Sequence, residues 1–267
     1  MPPITTNKHH RHIIHYWLEN NRLYYIMSGL SVLQIKSPNK KPIRPLPPQP
    51  LPAACFLLGL VSPPRSGKSA LIMNLIANSN MYGRKYFDEV IYCSPSQNFD
   101  ETTRHVLPKL DFVTQIDDID MLENCDTLIK SIMASQQKEE VEDRPNILIV
   151  LDDMAGQLER NKVLQRLCTK YRHYGISIIV SVQHYKSLPT MIRTSLTAFL
   201  HFHIPNEIDY KKMCDEIHTQ FKDGAEICKA ITQKRYSFAF INLERAEIWD
   251  NFNHCVYSRD TDPLLNG

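Results

Sequence analysis

Two rhythms of hydrophobic and polar positions alternate along the chain from residue 54 onward. One is the short, unbroken apolar run: CFLLGLV (55–61), DEVIYCS (88–94), ILIVLDD (147–153), ISIIVSV (176–182), TAFLHFHI (197–204) and SFAFINL (237–243), with a weaker case in DFVTQI (111–116). The other is the longer helical pattern: ALIMNLIANS (70–79), then stretches near 120–137, 157–174 and 206–219. Short apolar runs predict strands and the longer patterned stretches predict helices. Strands without alternation are buried on both faces, the pattern of a mostly parallel sheet flanked by helices. The expectation is an α/β domain of about 200 residues, inside the usual single-domain range.

The first 53 residues break this rhythm and predict an N-terminal extension, ahead of a domain at 54–250 and a C-terminal tail at 251–267. Residues 37–52, SPNKKPIRPLPPQPLP, hold seven of the seventeen prolines together with Lys40, Lys41 and Arg44. That composition favours extended polyproline and reads as a semi-rigid linker. Upstream, HIIHYWLENNRLYYIMSGLSVLQIK is apolar enough to pack as a short helix or a hairpin. His9, His10, His12 and His15 lack an acidic or cysteine partner and read as an exposed tail rather than a metal site.

Composition narrows the classes of function. With 267 residues, 43% of them apolar, the chain can bury a full core. Its 31 basic and 29 acidic residues leave a net charge of +2, so no global field draws it to nucleic acid and any such contact must be local. Seven cysteines, odd in number and never spaced as C-x-x-C, argue against a disulfide framework or a zinc ribbon and fit a reducing compartment, cytosol or nucleus. No run approaches the length of a membrane span and the N-terminus does not read as a signal peptide, so neither secretion nor a membrane is expected.

The chemistry concentrates in VSPPRSGKS (61–69), which stands between the first strong strand and the first helix. That is the context of a phosphate-binding loop, G-x-x-x-x-G-K-[ST]. Backbone N–H groups at the helix start wrap phosphates, a lysine neutralises the outer oxygens and a hydroxyl joins Mg²⁺. Those roles fall on Gly67, Lys68 and Ser69, within a nucleotide-binding stretch of Ser62, Pro63, Pro64, Arg65, Ser66, Gly67, Lys68, Ser69 and Ala70. The prolines cost no phosphate contact, because the donors come from Arg65 to Ser69. Ser62 stands where the first glycine belongs, and a serine there costs about 1 kcal/mol or more if its φ is positive. Arg65 either reaches a phosphate or is a solvated side chain at a permissive position.

Three further signals follow in order. ILIVLDD brings Asp152 to the carboxyl end of a buried strand, where a carboxylate holds the magnesium shell beside Ser69. Asp153 then serves as the base for the attacking water; the plain alternative is a pair of acids that caps the next helix. Gln183, at the end of ISIIVSV, can sense the outer phosphate or position water. Arg193, in KSLPTMIRTS, is a candidate for offsetting charge in phosphoryl transfer, within the chain or from a neighbouring subunit, with Arg172 as its rival. An ordinary salt bridge serves either arginine as well.

PPRSGKS, DEVIYCSPS, ILIVLDDM and YRHYGISIIVSVQHYKSLPTMIR together resemble the FtsK/HerA superfamily of P-loop ATPases. Within it, they are similar to the poxvirus-type genome-packaging ATPases of large DNA viruses, virophages and polinton-like elements. The resemblance covers roughly residues 54–220 and departs from the pattern at Ser62, Arg65 and Ser195, where glycine, a small residue and Asn are usual. It implies a RecA-like P-loop NTPase fold of the ASCE type. It also implies a homo-oligomeric ring that hydrolyses ATP with Mg²⁺ to drive double-stranded DNA into a capsid, in contact with capsid proteins at the site of virion assembly in host cytoplasm or nucleus.

One local basis for DNA contact is independent of the resemblance. Lys162, Arg166 and Lys170 recur every four residues and line one helix face, which either tracks phosphates or is simply solvated. Competing functions are a replicative helicase or AAA-type remodeller, a small-molecule kinase, and a nucleotide binder that does not hydrolyse. The first lacks a convincing helical lid after Ser237, the second a cluster of lid arginines. The third does not explain why Asp152, Asp153 and Gln183 stay in register with the loop.

Overall fold

The apolar runs become strands because each is long enough to cross a sheet and is mostly apolar, with Ser177, Ser181 and His201 the buried polar exceptions at interior strand positions. The computed structural model describes residues 15–19, 22–26, 46–95, 100–116 and 121–259. Two units result, residues 1–40 and 41–267. In the first, β1 (His15–Glu19) and β2 (Arg22–Ile26) form an antiparallel hairpin, one of the two forms expected of this segment. His9, His10 and His12, and the linker up to residue 45, lie outside the described residues.

The second unit is built on a nine-stranded sheet. Its strands are β3 (Leu57–Val61), β4 (Glu89–Cys93), β5 (Val113–Ile116), β6 (Ile147–Asp152), β7 (Ile176–Val182), β8 (Ala198–Phe202), β9 (Phe238–Asn242), β10 (Glu247–Asp250) and β11 (His254–Ser258). They lie in the order β11-β10-β9-β8-β3-β7-β6-β4-β5. The block from β8 to β5 is parallel throughout, and β9, β10 and β11 extend it antiparallel. Strand β11 falls within the stretch read from sequence as a tail.

Among the described residues, eight α-helices connect the strands: α1 (Lys68–Ala77), α2 (Glu101–Val106), α3 (Met121–Lys138), α4 (Ala155–Arg160), α5 (Lys162–Tyr174), α6 (Thr190–Arg193), α7 (Glu207–Ile217) and α8 (Gly224–Ile231). Alternate residues of each strand supply two separate cores. Leu57, Val61, Ile149, Leu151, Ile178 and Val180 pack under α3, α5, α7 and α8, whereas Leu58, Leu60, Leu148, Val150 and Ile179 pack under α1 and the Tyr82–Phe87 segment. Both faces of the central parallel strands β3, β6, β7 and β8 are thus dry, whereas the edge strand β5 is partly exposed.

Two expectations change in detail. The helix foreseen over 157–174 is two helices, because Asn161 leaves the helical region and its side chain accepts the N–H groups of Val163 and Leu164. It ends α4 and caps α5, the role for which a short polar side chain is suited. The proline-rich linker does not run free to residue 52. Leu51 is buried in the second core, and the Tyr82 hydroxyl donates to the Pro52 carbonyl at 2.8 Å. Among the described residues, no helix is long and apolar enough to cross a membrane.

Candidate nucleotide-binding site

Strand β3 lies between β7 and β8, so the chain leaves it at the point where successive connections go to opposite sides of the sheet. Clefts of open α/β sheets form at the carboxyl ends of the strands at such a point. Here a cleft of about 530 Å³ is lined by the loop from Ser62 to Ala70 together with Asp100, Asp152, Asp153, Gln183 and Tyr236. Its size is that of a small-ligand site.

The loop is held by its own side chains. Ser62 is fully buried, its N–H donates to the Val182 carbonyl at 3.0 Å, and its hydroxyl meets that of Ser66, which in turn donates to the Pro63 carbonyl at 2.8 Å. Ser62 is not among the residues with positive φ; those in the loop are Arg65, at 62°, and Gly67, at 101°. The strain foreseen at the missing glycine therefore does not arise there and sits on Arg65 instead, an exposed side chain in the left-handed region. Gly67 caps α1, and a Cβ at this position would stand 3.4 Å from the Tyr236 ring. Its φ, more than that contact, demands glycine.

Lys68 opens α1 and points across to β6, with Nζ 3.1 Å from Asp152 and 3.7 Å from Asp153. Asp152 is buried at the end of β6, and its oxygens accept from Tyr92 Oη at 2.6 Å and Ser181 Oγ at 2.7 Å. Burial first, and then the Asp152 charge, push the Tyr92 phenol far up, so it stays a proton donor. Asp153 takes φ 60°, turning the chain out of β6, and Gln183 Nε2 donates to its two oxygens at 2.9 and 3.2 Å. Lys68 thus stands between two adjacent carboxylates, of which Tyr92 and Ser181 hold one and Gln183 the other.

Five lining residues, Ser94, Asp100, Thr102, Thr103 and Tyr236, carry no site signal in the sequence. Asp100 caps α2 by accepting the Thr102 and Thr103 amides, and it also accepts from the Thr103 and Ser69 hydroxyls. Burial pulls its carboxyl upward, but these hydrogen bonds outweigh that and hold it below the ordinary range. D-x-T-T is legible as a helix cap; its position beside Ser69 is not. Tyr236, half exposed at φ 66° between α8 and β9, stands over the loop and carries the Arg235 guanidinium 4.7 Å above its ring. Nothing in the sequence singles it out.

Arg193 requires a correction. It does not line the cleft: its side chain is buried, donates to Glu216 at 2.7 and 3.3 Å, to the Leu188 carbonyl at 2.6 Å and to Thr190 Oγ1 at 3.1 Å, and lies over the Tyr185 ring. A guanidinium so fully engaged ties α6 to α7, the ordinary reading of the two. Arg172 pairs with Glu244 beside a second cleft, which Ser195 also lines, at the amino-terminal edge of the parallel strands. That edge is roughly 20 Å from the loop, the length of a strand. Lys162, Arg166 and Lys170 are exposed along α5, opposite its buried Leu164, Leu167, Cys168 and Tyr171.

The segment that carries this arrangement lies within a match to a known family. The model for "Poxvirus A32 protein" matches residues 48–241. The chain belongs to the Poxvirus A32 protein family. No curated protein sequence matches it. Among solved structures, this A32-family chain is similar to the genome packaging NTPase B204 from Sulfolobus turreted icosahedral virus 2 in complex with ATP-gammaS, with TM-score 0.55, 15% identity and coverage of 74% of this chain and 96% of B204. The same protein with sulfate gives TM-score 0.56 at 16% identity over 73% and 95% of the two chains. B204, the DNA-packaging ATPase from Sulfolobus Turreted Icosahedral Virus, gives 0.52 at 17% over 73% and 96%. At these identities the likeness establishes the fold, which is that of a RecA-like P-loop NTPase.

Proposed function

We propose that the protein is an ATP-hydrolysing motor that drives double-stranded viral DNA into a capsid as a homo-oligomeric ring. The observation that carries this reading is the meeting of Lys68, Asp152, Asp153 and Gln183 at one sheet edge, in a chain of the A32 family. The residues fit Mg·ATP. Ser69, Asp152 and Asp100 offer the hard oxygen donors that magnesium takes, with Asp152 buried and already supported by two hydroxyls. The ion would be held by Ser69 and Asp152 and would supply charge neutralisation at the outer phosphates.

The chain's own groups do the rest. Amides from Arg65 to Ser69 and the dipole of α1 receive phosphate oxygens, and Lys68 transfers its charge from the two aspartates to the outer phosphate. Asp153 accepts the proton of the attacking water as the water oxygen bonds to the γ-phosphorus and the bond to the bridging oxygen breaks, yielding ADP and phosphate. Gln183, bound to both Asp153 oxygens, fixes the direction in which that carboxylate accepts. A small-molecule kinase would keep water out. This cleft has no arginine besides Arg65 among its described lining residues to shield a phosphoryl group.

DNA contact falls to the exposed Lys162, Arg166 and Lys170, whose phosphate contacts would be independent of sequence and sensitive to salt. The measurement that tests the proposal is ATP hydrolysis by the purified chain with and without long duplex DNA, alongside its mass in solution. Stimulation of a multimer is expected, and reversal of the three charges removes the stimulation. A monomer whose hydrolysis ignores duplex DNA overturns the motor reading, and strand separation on a forked substrate moves it to a helicase.

A further inference from the structure

On the sheet face covered by α7 and α8, three side chains that the nucleotide site does not use converge. His201 comes from β8, His218 from the 3-10 turn that follows α7, and Cys228 from α8. All three are buried, at 0%, 4% and 0% exposure. One donor atom from each lies within 4.8 Å of the others, and this is the one group of its kind among the described residues.

The polarity of this pocket is unspent. His201 Nδ1 lies 3.0 Å from the Phe202 carbonyl, so Nδ1 carries the hydrogen and donates it. The lone pair of His201 Nε2 then points inward without a partner, and neither ring nitrogen of His218 has one. An imidazole whose far N–H is held by a backbone carbonyl is the usual posture of a metal ligand. Both rings lie where water does not reach, which disfavours a charged imidazolium and leaves nitrogen lone pairs to offer. Three buried groups from three elements, two of them with no hydrogen-bond partner at the inward nitrogen, are costly unless something else satisfies them.

We propose that His201 Nε2, His218 and Cys228 Sγ bind one zinc ion, which clips the α7–α8 segment to β8. Two nitrogens and a sulfur suit zinc and exclude magnesium and calcium, which take oxygen. Zinc bonds of about 2.0–2.3 Å put tetrahedral donors roughly 3.4–3.8 Å apart, so side-chain shifts of about 1 Å close the set. Binding forms the Zn–S bond and releases the Cys228 thiol proton to solvent. The sequence spacing does not announce such a site, because its ligands come from a strand, a turn and a helix. Phe202, next to His201, comes within 3.9 Å of where a Cβ on Gly67 would lie, so the clip steadies the strand beside the loop.

The test uses the full chain purified with zinc in the medium. Elemental analysis is expected to find about one zinc per chain, and stripping with chelator followed by Zn²⁺ alone is expected to lower and then restore the melting temperature. Co²⁺ added to the stripped protein is expected to show thiolate-to-cobalt charge-transfer absorption, lost in Cys228→Ser and weakened in His218→Ala. Wild-type protein with less than about a tenth of a zinc per chain and no thermal response to Zn²⁺ overturns the site. Full zinc retention by Cys228→Ser or His218→Ala overturns it too. Should either variant fail to fold, the wild-type stoichiometry and cobalt spectrum decide.

Discussion

Replacing Ser62 by glycine would restore the usual loop consensus, and the structure says that it should harm the protein. Ser62 is buried, its φ is not positive, and its hydroxyl bonds within the loop to Ser66 and to the Pro63 carbonyl at 3.2 Å. Ser62→Gly loses a buried hydrogen bond, worth about 1 kcal/mol, and adds the entropy penalty of glycine, about 0.5–1 kcal/mol. For a unit spanning residues 41–267, each kcal/mol moves the melting temperature by about 2–4 °C. The expected fall is about 3–8 °C. Arg65→Gly should act in the opposite direction. A non-glycine residue in the left-handed region costs about 1–2 kcal/mol, of which glycine entropy in the unfolded chain takes back about half. A rise of about 1–4 °C is expected. Differential scanning calorimetry of both variants without nucleotide reads the two signs directly. A Ser62→Gly variant that melts higher than the parent, or an Arg65→Gly variant that melts lower, would refute the assignment of the left-handed turn to Arg65.

The other predictions concern the cleft and its surroundings. Asp153→Asn should keep nucleotide affinity in calorimetry while turnover falls about 10²–10⁴-fold, the range of general-base catalysis; normal turnover would remove Asp153 from that role. Lys68→Ala should abolish measurable Mg·ATP binding, since the remaining cleft lining presents three carboxylates to the phosphates. Tyr236→Ala should weaken ATP roughly tenfold if the ring stacks on the base, because such stacking is worth about 1–3 kcal/mol, and GTP should suffer similarly. Arg193→Ala should be read out in stability: it strands Glu216 and the Leu188 carbonyl, at about 2–4 kcal/mol, less than a fully buried pair because Glu216 is one-third exposed. A stable, folded Arg193→Ala protein that binds ATP but does not turn it over would restore the arginine to catalysis.

What was legible followed from local rules. A run such as ILIVLDD declares a strand buried on both faces and ending in acid, and a strand followed by PPRSGKS and a helix declares a phosphate loop. Burial on both faces, the helix start and the strand end are each properties of a few consecutive residues. The break at Asn161 was also in principle legible, as a capping residue inside a helical pattern, but the apolar period continues across it and masked the cap.

What was not legible depended on residues far apart in the chain. Arg193 resembled a charge for catalysis until Glu216, from another helix, was found against it. Asp100 caps a helix by a local rule, but that it also stands beside Ser69 is decided by the fold.

By itself, then, the sequence determined the α/β class, the loop, and the order of acid, acid and glutamine behind it, because periodicity and motif spacing are short-range properties. Only the tertiary structure decided which φ the loop residues adopt, which arginine is spoken for, and that two histidines and a cysteine meet under the sheet. Those outcomes rest on packing between strands and helices brought together from distant parts of the chain, and no window of neighbouring residues contains that information.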